Sequence, residues 1–200
     1  MYRLLRLLFG RHAVNESVAT QARFDACPEA VWNQMKFYEE VPGRPPWLLR
    51  RFLPSPVRTE GDKGTVGSIV HCAYSSGELF KRITTVDEPR MLGFEVVRQQ
   101  LGIEDCILTR SGSYRISGHG SGASVVLTTN YQARLRPRRL WRAVEKILAR
   151  RLHRHILGGM RAALSAAAAD ARSAPARRLT PETAPSGGLA CTPSRSHSPR

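Results

Sequence analysis

Residues 83–96 read Ile-Thr-Thr-Val-Asp-Glu-Pro-Arg-Met-Leu-Gly-Phe-Glu-Val, and this stretch indicates the fold more clearly than any other in the chain. Its first part is rich in β-branched residues, and Leu92, Phe94 and Val96 alternate with other residues in its second part, as in two strands. Only residues 87–90 separate the two runs, whereas a parallel crossover needs a dozen or more residues. The two strands are therefore predicted to pair antiparallel.

The same pattern continues on both sides of this hairpin. Runs rich in Val, Ile, Thr, Phe and Tyr predict further strands at 17–26, 65–74, 78–86, 107–116 and 124–134. Their separators, such as Ser75-Ser76-Gly77 and Gly118–Gly122, have the composition of turns. We therefore expect a curved antiparallel sheet of about six to seven strands.

Helices are predicted before and after this sheet. Pro28 suits the first position of a helix that runs to about Glu40, and a short amphipathic piece, Trp47–Leu53, follows it. Residues 137–165 predict one long helix, with a kink or fraying point at Gly158-Gly159. The layout is α+β, in which one face of the sheet packs against the long helix.

Alternation along the strands predicts which side chains share a face, although a β-bulge would reverse any of these assignments. The predicted sets are Val66, Val70, Cys72 and Tyr74, then Leu92, Phe94 and Val96, and finally Val125, Leu127, Thr129 and Tyr131.

The net charge of +15 lies almost entirely at the two ends of the chain and on the long helix, so the sheet region is nearly neutral. A basic helix suggests nucleic acid or an anionic membrane as a partner. The helix lacks aromatic platforms for bases and its other face is needed for packing, which argues against nucleic acid. A peripheral contact with anionic membrane stays open.

The predicted domain spans 14–168, between a basic apolar segment at 1–13 and a disordered Pro/Ser/Arg tail at 169–200. No apolar run is long enough to span a membrane, and Arg6 interrupts the only stretch that looks like a signal sequence. The four cysteines form no C-x-x-C pair, so we expect free thiols and a cytoplasmic location.

Three motifs in this order resemble the helix-grip superfamily, also called SRPBCC or START-like, which includes birch-pollen allergen, lipid-transport and polyketide cyclase/dehydrase proteins. They are Phe24–Trp32, Ile83–Val96 and Gly122–Tyr131, and the resemblance covers residues 17 to about 165. It implies a sheet wrapped around the last helix, with an internal cavity for an apolar small molecule or lipid. It does not imply catalysis, because such folds host binders, carriers and enzymes.

A helical wheel of the long helix places His153 on the solvent side and gives an apolar stripe that also contains Arg151 and His155. The stripe consists of Leu140, Trp141, Val144, Ile147, Leu148 and Leu152. Two interpretations remain: the stripe ends near Leu152 and both side chains extend to solvent, or they form a polar patch that meets a ligand oxygen. The candidate ligand-binding residues, each of which also fits a role in the core, are Cys72, Tyr74, Phe94, Tyr114, Tyr131, Trp141, Arg151 and His155.

The sequence thus predicts a binder or carrier of a lipid, isoprenoid or polyketide-like compound, in a cavity of several hundred Å³, the usual range for ligand sites. The alternative is a cyclase, aromatase or dehydratase, with acid or base candidates Arg110, Tyr114, His71 and His155. No catalytic signature and no cofactor motif is present. We expect no metal, because His153 and His155 point about 200° apart on a helix.

Overall fold

A computed structural model describes residues 9–37 and 56–173 of the chain. Within these ranges one antiparallel sheet has the strand order β1-β7-β6-β5-β4-β3-β2. The strands are β1 Phe9–Phe24, β2 Pro56–Glu60, β3 Ile69–Tyr74, β4 Gly77–Asp87, β5 Met91–Gln100, β6 Ile107–His119 and β7 Gly122–Leu135. Consecutive strands from β2 to β7 are neighbours, as short connectors require, and β1 closes the order beside β7.

Two helices pack on the sheet: α1 spans Pro28–Phe37 and α2 spans Arg138–Ser173. Pro28 and the acidic Glu29 in the first turn favour the start of α1. Val31, Trp32 and Met35 are buried, as their helical spacing predicts. The predicted end of this helix at Glu40 and the predicted short helix at Trp47–Leu53 lie outside the described residues.

The predicted fold class is confirmed: a curved antiparallel sheet is followed by one long C-terminal helix. Differences occur at the edges of elements. Strand β2 was not predicted, because its five residues contain a proline and few apolar side chains. Residues 65–68 form a turn instead of the start of a strand, and Val66 is exposed. Helix α2 continues through Gly158-Gly159, since the alanine-rich sequence beyond has high helix propensity.

The core lies between the concave face of the sheet and the two helices. The predicted inward positions on β3, β5 and β7 are correct for Val70, Cys72, Leu92, Phe94, Val125, Leu127 and Tyr131, which are all buried. Strands β5 and β6 approach closely at Gly112: a Cβ atom there would lie 2.5 Å from Cζ of Phe94 and 2.8 Å from the carbonyl oxygen of Thr128. The absence of a side chain at Gly112 leaves room for the edge of the Phe94 ring against β6.

The expectation of four free thiols is wrong for Cys27, which is disulfide-bonded. Cys72 and Cys106 are free. No helix within the described ranges is both long and apolar enough to cross a bilayer. Strand β1 begins at Phe9, inside the segment assigned to 1–13, and most of the predicted tail lies outside the described residues.

Candidate ligand-binding site

Two adjoining cavities lie between the sheet and α2. The described residues enclose about 120 Å³ in the larger and about 80 Å³ in the smaller. Both volumes are below the several hundred Å³ predicted from the sequence. The reason is that aromatic and branched side chains expected to form the wall, such as Phe94 and Leu127, also fill part of the interior. The two cavities share a boundary formed by Tyr74, Lys81, Phe94, Tyr114 and Ile156.

The wall of the larger cavity is mainly hydrocarbon. Its apolar residues come from the sheet, from the connection between β5 and β6, and from the face of α2 that packs on the sheet. They are Leu79, Phe94, Leu101, Ile103, Ile107, Leu127, Leu148, Ala149, Leu152 and Ile156. Polar groups are spaced around this wall: Tyr74, Lys81, Thr109, Tyr114, Thr129, Tyr131, Glu145 and His153. Such a lining suits an apolar molecule that carries a small number of polar atoms.

Five of the eight candidate residues from the sequence line these cavities. Tyr74, Phe94 and Tyr114 line both, Cys72 lines the smaller and Tyr131 lines the larger. The rings of Phe94 and Tyr114 are tilted against each other, with centroids 6.5 Å apart. Strand alternation predicted inward positions for Tyr74, Phe94 and Tyr131, and the fold brings these aromatic residues together around the cavities.

The other three candidates, Trp141, Arg151 and His155, do not line either cavity. Of the two interpretations of Arg151 and His155, this position favours the one in which the side chains extend to solvent. Arg151 is exposed and His155 is half-buried. The indole N–H of Trp141 donates a hydrogen bond to the carbonyl of Arg136, 3.0 Å away, at the start of α2. Leu140 and Ile147, which the wheel placed in the packed stripe, are 59% and 51% exposed.

The physical reason is that polar residues occupy the packed face of α2. Glu145 and His153 are each only 3% exposed, and the helical wheel had assigned His153 to the solvent side. The stripe that faces the sheet consists of Glu145, Ala149, Leu152, His153, Ile156, Leu157 and Met160. An apolar count along the helix could not find this face, because two of its members are polar.

Glu145 is held by a cluster of charges at the N-terminal end of α2. Its carboxylate accepts two hydrogen bonds from Arg138, at 2.8 and 2.9 Å. Arg138 also reaches Glu16 on β1 at 3.3 Å, and Arg142 and Lys146 form ion pairs with the same Glu16. Hydrogen bonding to Glu145 raises the pKa of Arg138. The acid in the wall of the larger cavity is therefore paired with a cation outside the lining.

His153 connects α2 to two strands. Its Nε2 lies 2.9 Å from Oγ1 of Thr129, and its Nδ1 lies 3.1 Å from Oγ1 of Thr20. Burial lowers the pKa of His153 to about 4, so the imidazole is neutral at neutral pH. Within residues 9–37 and 56–173, no group of three or more His, Cys, Asp or Glu side chains is placed to hold a metal ion.

Lys81 is a polar wall residue that the sequence patterns did not predict. It lies on β4 in the inward series Leu79, Lys81, Ile83, and it lines both cavities. Its Nζ is 4.6 Å from the centroid of the Phe94 ring. The sheet register shifts between Phe80 and Lys81, which is a position where a β-bulge can redirect a side chain. In the sequence, Lys81 alternates with the apolar Leu79 and Ile83, which indicates an inward position. The apolar Phe80 beside it interrupts that alternation and hides the pattern.

Comparison with known proteins gives structural matches only. No family model matches the sequence, and no curated protein matches it significantly. The protein TTHA0849 from Thermus thermophilus superimposes with a TM-score of 0.53 at 18% identity, over 76% of this chain and 99% of the other. The protein MLL2253 from Mesorhizobium loti gives 0.51 at 16% identity, over 76% and 98%.

A third similar structure is norcoclaurine synthase from Thalictrum flavum, solved in complex with dopamine and hydroxybenzaldehyde. It has a TM-score of 0.52 at 15% identity, over 82% of this chain and 95% of the other. At this level of identity the likeness shows a shared fold.

Proposed function

We propose, from the premise that this chain has the helix-grip fold its sequence motifs predicted, that it binds an apolar small molecule between the sheet and α2. The molecule is of the lipid, isoprenoid or polyketide-like class, and the protein acts as its binder or carrier. The observation that carries the proposal is the pair of adjoining cavities with a hydrocarbon wall. Apolar surface that folding leaves unfilled inside a domain favours an apolar occupant over water.

The arrangement of polar groups supports a binder rather than an empty, imperfectly packed core. A core that only stabilises the fold has no use for Lys81, Tyr74 and Tyr114 around one space, since buried polar groups reduce stability unless they are compensated. A few polar groups within an apolar wall are instead what fixes the orientation of a bound molecule. The proposal is tested by NMR titration with 1-octanol, which should shift the amide signals of residues along the cavities and reach saturation.

An enzyme of the cyclase or dehydratase type is the second candidate. Of the four acid or base candidates, Tyr114 lines the cavities, whereas Arg110 is exposed and hydrogen-bonds to Gln132. His71 pairs with Glu78 at 3.1 Å and stacks on Phe80, on the opposite face of the sheet from Cys72. The norcoclaurine synthase complex is an example of this fold with two aromatic molecules bound. The juxtaposition of Tyr114 with Lys81 is the specific feature that favours this candidate.

A peripheral contact with anionic membrane is supported by the outer face of α2. Leu140, Ile147, Arg151 and Arg154 are all exposed and recur at intervals of three to seven residues, which places them along one side of the helix. Apolar and basic side chains on one exposed helix face are typical of binding to anionic lipid. Such a contact would bring the carrier to a lipid bilayer, in which apolar molecules dissolve.

The expected compartment is the cytoplasm. The free thiols of Cys72 and Cys106 support this expectation, and the disulfide at Cys27 weakens it, because disulfides are rare in reducing compartments.

A further inference from the structure

We propose that Lys81 binds an acidic head group, so that the ligand is an apolar molecule with a carboxylate or a similar anionic oxygen group. This inference rests on the proposed function, since it names the chemical class of the molecule in the same cavities. The sequence had suggested Arg151 as the cation that meets the ligand; Lys81, which lines both cavities, takes that role instead.

The Lys81 side chain lies where the two cavities meet. Lys81 belongs to the boundary that the two cavities share, and its neighbours there include Tyr74 and Tyr114. A head group held at this boundary leaves the hydrocarbon wall of the larger cavity free for the apolar part of the same molecule. A charged group at the boundary can therefore serve as the fixed point of an elongated ligand.

The described part of the chain supplies no counter-charge to Lys81. No carboxylate within it forms an ion pair with Lys81. The acids on the neighbouring strands have other partners: Glu78 pairs with His71, and Glu95 pairs with Arg82 at 2.7 Å. Contact with the Phe94 ring offsets only part of the desolvation of a cation.

The ionisable groups near the Lys81 ammonium are Cys72, Tyr74 and Tyr114. Burial disfavours the charged form of Lys81 and lowers its pKa, whereas negative charge on the neighbouring Cys72, Tyr74 and Tyr114 raises that pKa above the ordinary lysine value once those groups are ionised. Burial also raises the pKa of Tyr74 to about 12 and raises that of Tyr114, so both phenols are protonated at neutral pH. At neutral pH these two side chains therefore supply no negative charge to the ammonium.

An anionic ligand supplies that charge. Its oxygens would accept charge-assisted hydrogen bonds from the Lys81 ammonium and further hydrogen bonds from the hydroxyls of Tyr74 and Tyr114. Lys63 also lines the smaller cavity. Glu145 lines the larger cavity but not the boundary that contains Lys81, and its charge is neutralised by Arg138.

The experiment compares two probes that differ in the head group, octanoate and 1-octanol, at pH 7.4, where octanoate is ionised. Binding of each to the full chain is followed by NMR titration for the parent, Lys81→Met and Arg82→Met. Arg82→Met is the matched control, because it removes one positive charge from the next residue of β4, on the exposed face. Lys81→Gln is a second variant that keeps a polar side chain in place of the apolar one.

We expect Lys81→Met to weaken octanoate binding about tenfold or more, the effect of losing one charge-assisted hydrogen bond. Its affinity for 1-octanol should stay within about twofold of the parent, since the hydrocarbon wall is unchanged. Arg82→Met should bind both probes like the parent, and Lys81→Gln should reproduce the selective loss of octanoate. The melting temperature of each variant reports whether the fold is intact.

Two results would overturn the inference and leave the proposed function standing. One is octanoate binding to Lys81→Met and Lys81→Gln as tightly as to the parent. The other is an equal loss of both probes in the two variants, which would assign Lys81 to the structure of the cavity and not to the head group. If the parent binds neither octanoate nor 1-octanol, the proposed function fails and the inference fails with it.

Discussion

His153 is a polar residue in the middle of the interface between α2 and the sheet, and its two ring nitrogens explain how the fold accommodates it. A neutral imidazole has one donor and one acceptor nitrogen, and the hydroxyls of Thr20 and Thr129 can serve both. The protonated ring would carry a charge into a buried position, where no acid from residues 9–37 or 56–173 pairs with it, and the pKa of about 4 reflects this desolvation.

The first prediction is therefore an acid-dependent loss of stability that His153 causes. The unfolded chain binds a proton at His153 below about pH 6.5, whereas the folded chain does so only near pH 4, so folding is disfavoured progressively as the pH falls through this window. The contribution is present above pH 6.5 and its loss reaches on the order of 3 kcal/mol, from the conversion of pKa shifts to free energy. Urea unfolding of the parent and His153→Gln at pH 7, 6, 5 and 4 measures it.

His153→Gln should be less stable than the parent at pH 7, and this difference should shrink with acidification because glutamine does not titrate. The control is His119→Gln, at an exposed position at the end of β6, which should keep the parent's dependence on pH. Parallel curves for the parent and His153→Gln across the window would show that His153 does not titrate in the way the structure implies.

Single residues also show where reading the sequence succeeds. Alternation placed Tyr74, Phe94 and Tyr131 correctly, because an aromatic residue at an inward position agrees with its own chemistry. His153 could not be placed, since one of its partners, Thr20, is 133 residues away and only the folded chain brings them together. A charged residue that lines a cavity, such as Lys81, looks in the sequence like any lysine on a strand.

At the scale of elements, α2 is attached to the sheet by an ion cluster as well as by apolar packing. Arg138 joins Glu145, on its own helix, to Glu16 on β1. The helical wheel was turned away from the true packed face, because it placed Leu140 and Ile147 in the packed stripe and His153 on the solvent side. The sequence predicted that this helix exists and that it is long. Which of its faces packs on the sheet depends on ion pairs, which hydrophobic periodicity does not reveal.

The second prediction concerns this cluster. Glu145→Ala should lower the free energy of unfolding by about 3 kcal/mol, because it leaves the half-buried Arg138 without its two-point partner. Glu95→Ala, which breaks the exposed pair with Arg82, should cost less than about 1 kcal/mol. Urea denaturation at pH 7 compares the two variants. Equal losses in both would mean that burial does not set the strength of the Arg138–Glu145 pair.

At the scale of the whole molecule, short connectors made the fold predictable. An antiparallel sheet and a final helix leave few ways to bury one face, and the order of elements was sufficient to choose among them. The volume of the interior was not predictable in this way. It depends on rotamers and on close approaches such as Phe94 over Gly112, which are properties of packing and not of pattern.

The third prediction concerns the outer surface of α2. The parent should co-sediment with vesicles of phosphatidylglycerol and phosphatidylcholine at low salt, and should bind less to phosphatidylcholine alone. Arg151→Glu combined with Arg154→Glu should reduce this binding at least tenfold, at about 1 kcal/mol or more for each arginine near an anionic surface. The control combines Arg90→Glu with Arg115→Glu, which makes the same charge change at exposed positions on the sheet side. Equal binding by the two double variants would remove the outer face of α2 as the membrane contact.

A binder or carrier of this kind must admit an apolar molecule to the cavities between the sheet and α2. The most direct measurement is an NMR titration of 1-octanol into the parent, Ile156→Trp and Ile147→Trp. Ile156 lines both cavities, so an indole there occupies the space where the ligand would lie. Ile147 is on the same helix but exposed, so it receives the same substitution without entering the interior.

We predict saturable shifts of amides along β4, β5 and β6 in the parent and in Ile147→Trp, and none in Ile156→Trp while its fold is retained. Binding by Ile156→Trp that equals the parent's, or shifts confined to the outer face of α2, would contradict the claim that the cavities bind apolar molecules.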